Sequence, residues 1–204
     1  MTTQRDVDVS YQLVRQLREI PDLELKEDEP LSRHTSFGIG GPADLLLIPS
    51  TPEALCAALA ASRSAGSKPL ILGNGTNLIV RDGGIRGIVI RVAGEMSGVE
   101  FEGTSVIVEA GASLAAACMQ CAHRGLAGLE FAAGIPGTLG GALIMNAGAY
   151  GGEIGDITEW VEIATADGSI ERIDGSQLTF GYRRSVLKEL GHVVNPGRLD
   201  HAAV

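Results

Sequence analysis

Residues 134–155 read Gly134-Ile-Pro-Gly-Thr-Leu-Gly-Gly-Ala-Leu-Ile-Met-Asn-Ala-Gly-Ala-Tyr-Gly-Gly-Glu-Ile-Gly155, 8 glycines in 22 residues. A flexible linker with that much glycine is polar and serine-rich. Here Ile135, Leu139, Leu143, Ile144 and Met145 interrupt the glycines, so the segment is expected to be buried. Glycine permits positive φ and lets a backbone or a ligand come close, at roughly 0.5–1 kcal/mol relative to alanine in regular structure. Repeating that cost through one apolar stretch implies something large against the backbone, and a cofactor is the expected occupant.

The rest of the chain limits what that cofactor serves. Of 204 residues, 45% are hydrophobic and mean hydropathy is +0.17, enough for a real core in one large or two small domains. The 28 glycines are about twice the usual share of roughly 7%, and they cluster rather than repeat. Aromatic residues make up only 4%, too few to hold bases or sugars by stacking. Net charge is −9 and the pI about 4.9. Binding a phosphate backbone needs patches of Lys and Arg; none is present, so nucleic acid is not an expected partner. The longest apolar runs fall short of the roughly 20 residues that span a bilayer, so no membrane insertion is expected. Residues 1–12 lack the basic and apolar regions of a secretory signal, and the expected location is cytoplasmic.

Cys56, Cys118 and Cys121 are odd in number, which fits a reducing compartment. Cys118-x-x-Cys121 has a redox or zinc spacing, but it lies in a stretch that reads as helix, with no second pair, so ordinary packing is expected. His123, His192 and His201 form no ligand spacing, and no metal is expected.

In chain order, residues 8–20 read as a short amphipathic helix with Val9, Leu13, Leu17 and Ile20 on one face. Pro21 and an acidic run over 24–29 end it, and residues 1–27 are set apart as a prefix. Thr51-Pro52 starts a helix with a capping hydroxyl and proline at its first position. That helix runs to about Ser64, between strands at 44–49 and 69–72. Gly73-Asn-Gly-Thr-Asn-Leu78 follows. A strand entering such a turn exposes amides that can cradle a phosphate. Leu78, however, stands where the dinucleotide fingerprint wants glycine, and the Gly-Lys-Ser/Thr of the ATP loop is missing. A plain turn accounts for residues 73–77 equally well. Strands follow at 86–92, 98–102 and 104–110, then a helix capped by Ser113. Strands at 157–165 and 169–173 flank Asp167-Gly168, a type I′ hairpin signal. The pattern is β-α-β-β twice over. It predicts an α+β chain of two lobes, residues 28–95 and 96–190, with a ligand in the crease between them.

Four motifs then stand together: His34-Thr35-Ser36-Phe37 with Gly40-Gly41-Pro42-Ala43; Gly73 to Leu78; Gly134-Ile135-Pro136-Gly137 with Met145 to Gly151; and Phe180-Gly181-Tyr182-Arg183 followed by Ser185. In order and spacing they resemble the UDP-N-acetylenolpyruvoylglucosamine reductase (MurB) family, over residues 28–189. The resemblance implies a two-lobed FAD-binding domain of the vanillyl-alcohol-oxidase (PCMH) type. It implies a reductase of peptidoglycan precursor synthesis, with FAD as cofactor and NADPH as hydride donor. The small-molecule substrate would be the enolpyruvyl ether of a UDP-sugar, reduced to UDP-N-acetylmuramate. By position in the motifs, Gly73, Asn74, Gly75, Thr76, Asn77 and Leu78 would meet the FAD pyrophosphate. Gly134, Ile135, Pro136, Gly137, Thr138, Gly140 and Gly141, with Asn146, Ala147 and Gly148, would line the flavin and the remaining diphosphate. Arg183 matches the family's catalytic arginine, whose permanent charge and forked donors suit the charge that develops on a substrate carboxylate. Tyr182 would shape that site, and His34 would hold the loop before the first strand. Without the family, Arg183 and Arg184 read equally as solvated surface charges; Arg184 falls on a variable position of the motif.

The family's substrate-binding domain, with its proton-donating serine and later glutamate, has no counterpart in these motifs, and residues 191–204 leave the family pattern. A truncated form that retains FAD binding is therefore expected, self-associating through the surface left by the missing domain. Two alternatives remain: another flavin oxidoreductase on the same fold, such as an alcohol oxidase, and a non-catalytic nucleotide-binding fragment.

Overall fold

The computed structural model describes residues 10–190, 193–200 and 202–203; Val9, His192 and His201, named above, lie outside the described residues. The chain is α+β and divides into two compact units. One is Met1–Val92 with Ala166–Gly168, the other Ala93–Thr165 with Ser169–Val204.

The first unit contains α1 (Tyr11–Arg18), β1 (Leu23–Pro30), β2 (Pro42–Pro49), α2 (Pro52–Ser64), β3 (Leu70–Leu72) and β4 (Ile85–Arg91). Its sheet runs β1-β2-β4-β3, with β1 antiparallel to β2 and the other pairs parallel. Central β4 buries Ile88, Val89 and Ile90 in succession rather than alternately, as a parallel strand between two partners does. The α2 cap forms as expected: Thr51 Oγ1 accepts from the Ala54 amide at 3.2 Å. Leu55, Ala58, Leu59 and Ser62 are all buried. The acidic run that the sequence set aside as part of a prefix is β1, and Leu23–Glu27 pair with Leu45–Pro49. Its signal was hidden because no β1 residue is fully buried; a charged edge strand resists pairing with other chains and looks like coil in sequence.

The core of this unit gathers Leu31, Ala43, Leu46, Leu72, Val80 and Val89. Leu72 immediately precedes the turn at 73–78 and Val80 follows it. Burial of both ends fixes where that turn emerges.

The second unit contains β5 (Val99–Glu102), β6 (Ser105–Glu109), α3 (Leu114–His123), β7 (Leu126–Ala127), α4 (Leu139–Met145), β8 (Gly148–Ala149), β9 (Gly152–Glu153), β10 (Thr158–Ala164) and β11 (Ile170–Asp174). Then come β12 (Phe180–Gly181), β13 (Arg184–Ser185), α5 (Val186–Leu190), β14 (Val193–Asp200) and β15 (Ala202–Ala203). The main sheet is antiparallel, in the order β11-β10-β14-β6-β5. Most of the segment 191–204, set apart in the sequence as a tail, is thus β14, lying between β10 and β6. Pro196 and Gly197 conceal it, since proline cannot donate to a ladder and argues against a central strand. The structure accommodates them with a bulge: β10 advances two residues from Val161 to Ile163 while β14 advances three between Gly197 and Val194.

One hairpin turn departs from its expected type. Asp167-Gly168 is not the predicted type I′ turn. The Thr165 amide donates to Ser169 O at 2.9 Å, leaving a three-residue loop, and of the pair only Gly168 has positive φ. That is the loop with glycine at its left-handed position. The type I′ pattern occurs instead between β8 and β9, where Tyr150 (φ 52°) and Gly151 (φ 87°) are both left-handed.

Candidate cofactor site

The residues expected to hold a cofactor divide between the units: 73–78 belong to the first and the remainder to the second. In the first unit, the turn after β3 is buttressed by the His34-Thr35-Ser36-Phe37 loop. Gly75 is buried at φ 61°, and a Cβ there would overlap the His34 carbonyl oxygen and come within 2.8 Å of Thr35 Cα. The Ser36 amide and hydroxyl donate to Gly75 O at 3.2 and 3.3 Å. Gly75 is therefore glycine for the chain's own sake, not to admit a ligand. Gly73, Asn74 and Thr76 are half-buried, and Asn77 is exposed.

His34 anchors that loop from beneath. Its Nε2 donates to Glu29 Oε1 at 2.9 Å, with both side chains nearly buried. The hydrogen bond from His34 outweighs burial and, helped by the nearby Arg33 charge, holds the Glu29 carboxyl below its ordinary range. The Thr35 hydroxyl closes the loop on Ile39 O at 2.8 Å.

In the second unit, the glycine-rich stretch is only partly buried, contrary to the sequence expectation. Thr138, Leu139, Ala142, Leu143, Asn146 and Ile154 face the interior, while Gly134, Gly141, Gly148 and Gly151 are exposed. The apolar residues occupy one side of α4, so the glycines do not share their burial. The reasons for these glycines differ. Gly140 lies against Ala110, where a Cβ would sit 3.1 Å from Ala110 Cβ, and its amide bonds Ala110 O at 2.9 Å. Gly148 and Gly155 carry internal contacts too, with Gly152 O and with the Phe180 ring. Gly134 and Gly141 have no such cause. Neither has positive φ, a Cβ on Gly134 would meet nothing within 4 Å, and one on Gly141 would meet only Thr138 Oγ1, at 3.5 Å. These two open backbone faces fit a planar or extended cofactor lying against them.

Asn146 caps α4 in the left-handed conformation (φ 44°) and is 3% exposed. Its Nδ2 donates to Glu153 Oε2 at 2.6 Å and to Gly181 O at 3.2 Å, and its Oδ1 accepts from the Gly155 amide at 3.1 Å. The Asn146 side chain is thus engaged with protein on both of its polar atoms. Ile135 and Ala147 are half-buried, Pro136 is exposed, and Gly137 has φ 127°.

Tyr182 and Arg183 form the two-residue turn between β12 and β13, whose register is Phe180↔Ser185 and Gly181↔Arg184. Both are exposed, Tyr182 at 88%. Arg183 has φ 53°, a region few non-glycine residues adopt. Such conformations cost of order 1–3 kcal/mol and cluster at functional sites. Sequence reading quoted Gly181 and Ser185 within a motif and Glu153 and Gly155 within the glycine-rich stretch, but gave none of the four a role of its own.

The cysteines stay packed. Burial raises all three thiols, that of Cys121 to about 11, so they are protonated and inert at neutral pH. Among the described residues no three of His, Cys, Asp and Glu gather as metal ligands, and no helix is long and apolar enough to cross a membrane.

Residues 43–174 match a protein family described as an FAD binding domain. The chain belongs to that family. It is 49% identical over 164 residues to the UDP-N-acetylenolpyruvoylglucosamine reductase of Rubrobacter xylanophilus, an overlap of 80% of this chain and 55% of that protein. The crystal structure of UDP-N-acetylenolpyruvylglucosamine reductase (MurB) from Thermus caldophilus superposes with TM-score 0.75 at 38% identity, covering 89% of this chain and 62% of that one. A chitooligosaccharide oxidase superposes with TM-score 0.71 at 15% identity, covering 94% and 43%, a likeness of fold alone. The fold is the FAD-binding domain of the vanillyl-alcohol-oxidase (PCMH) type, and FAD is its cofactor. The chain spans a little over half the length of the curated relatives it matches.

Proposed function

We propose that this chain is the FAD-holding part of a UDP-N-acetylenolpyruvoylglucosamine reductase, acting with NADPH on the enolpyruvyl ether of a UDP-sugar to form UDP-N-acetylmuramate. The observation that carries the reading is the 49% identity to a reductase of that name over 164 residues. The Phe180-Gly181-Tyr182-Arg183 hairpin supports it against an alcohol oxidase on the same fold. FAD, when bound, supplies a two-electron carrier between a nicotinamide donor and a carbon–carbon double bond.

The chain's own residues would do the rest. Gly134 and Gly141 would let the cofactor approach the backbone closely, and the turn at 73–78 would offer amides to its diphosphate. Arg183 would neutralise charge growing on the substrate carboxylate; its planar fork of donors matches two carboxylate oxygens at once. Tyr182 would shape the site beside it. Cytoplasm, where nucleotide sugars and NADPH are found, is the location that goes with this chemistry.

The test begins with the FAD-loaded chain kept free of oxygen. NADPH is expected to bleach the visible flavin absorbance; restoration by the enolpyruvyl sugar nucleotide is expected once the chain is joined to the family's substrate-binding domain. Bleaching by simple alcohols but not by NADPH would contradict the reading.

A further inference from the structure

The second half of the glycine-rich stretch does something its motif does not advertise. Three separate contacts fasten the feet of the Phe180–Ser185 hairpin, and all three come from residues 144–155. The Ser185 hydroxyl, fully buried, donates to Ile144 O at 2.9 Å. The Phe180 ring lies against Gly155, where a Cβ would come within 2.6 Å of it. Asn146 Nδ2 donates to Gly181 O while also donating to the Glu153 carboxylate. Glu153 is itself fixed, since its side chain and Asp156 form a reciprocal capping box. A two-residue turn held at both feet leaves its tip little freedom, and that tip bears Arg183 in a left-handed conformation.

We infer that Asn146 is a positioning residue for Arg183: its side chain belongs to the hairpin's anchorage and makes no contact with the cofactor. This inference rests on the proposed function only in giving Arg183 a substrate to meet. Asparagine suits the post because it tolerates the left-handed helix cap and still brings both a donor and an acceptor. Aspartate would set a carboxylate against Glu153, and glycine would keep the cap but lose every bond.

The experiment uses the full chain and its Asn146→Gly, Asn146→Asp and Asn146→Asp/Glu153→Gln variants. Amide hydrogen exchange over residues 178–186 and FAD affinity are measured on each. In Asn146→Gly, exchange in that segment should quicken roughly tenfold or more, hydrogen bonds to charged groups being the stronger class. FAD affinity should stay within about twofold, since a direct bond to the cofactor would be worth about tenfold. Asn146→Asp should loosen the hairpin likewise. The added Glu153→Gln relieves that carboxylate pair but gives Gly181 O no donor, so the hairpin should stay loosened. An unchanged hairpin with FAD affinity lost would overturn the inference by making Asn146 a cofactor ligand. Unchanged exchange and affinity together would overturn it as well. Should Asn146→Gly fail to fold, the double variant decides: full protection in Asn146→Asp/Glu153→Gln, where Gly181 O has lost its Asn146 donor, counts against the inference. Failure of every variant and of the parent chain to bind FAD would refute the proposed function instead, leaving the exchange result to judge Asn146.

Discussion

Gly141 is exposed inside a seven-residue helix, and nothing in the folded chain requires it to lack a side chain. Alanine there should raise helix propensity by about 1 kcal/mol. If a cofactor lies on that face, the same methyl group should block it. Gly141→Ala and Gly134→Ala are therefore expected to keep or raise the melting temperature of the cofactor-free protein while weakening FAD binding at least tenfold. Calorimetric titration alongside thermal melting checks both. Gly75 is the opposite case. Its positive φ and its overlap with the His34 backbone mean that Gly75→Ala should destabilise the protein by roughly 1–3 kcal/mol with or without FAD, as a denaturant melt would report. Sequence alone could not separate these glycines. It shows that side chains are absent, and the reason for each absence lies in what stands opposite, such as Ala110 for Gly140 and Phe180 for Gly155.

Among the elements, α2 and α3 were legible because their caps are local: Thr51 and Ser113 each accept from an amide three residues on. β1 and β14 were not. β1 carries charge on an edge, and β14 carries Pro196 at a bulge, so each denies the alternation by which a strand is read. The Asp167-Gly168 turn misled for a related reason: turn type follows from which residues are left-handed, and there Asp167 is not. The loop beneath the first-unit turn carries its own pH dependence. Because Glu29 is held below its ordinary pKa by His34 and Arg33, its contribution to stability is present above the unfolded carboxyl value, about 4. That contribution is lost as pH falls through the folded value. The stability difference between the parent chain and Glu29→Gln should shrink as pH falls below about 4. A difference that grows below that pH would show that the pairing has been misassigned.

At the scale of the whole molecule, the family's motifs fall in two separate units, with residues 73–78 in one and residues 134–148 and 180–185 in the other. Neither group was decisive by itself; the turn at 73–78 reads equally as a plain turn, and Arg183 as a surface charge. Their order along the chain made them specific, and membership of the FAD binding domain family supports that reading. The most direct measurement is a titration of the purified, flavin-stripped chain with FAD, followed by absorbance and thermal melting. A ligand that binds the folded state at a hundredfold excess over its dissociation constant adds about 2.7 kcal/mol, which for a chain of this size raises the melting temperature by roughly 5–10 °C. The account predicts one FAD per chain and a rise of that order. A colourless protein whose melting temperature does not move at saturating FAD would contradict it.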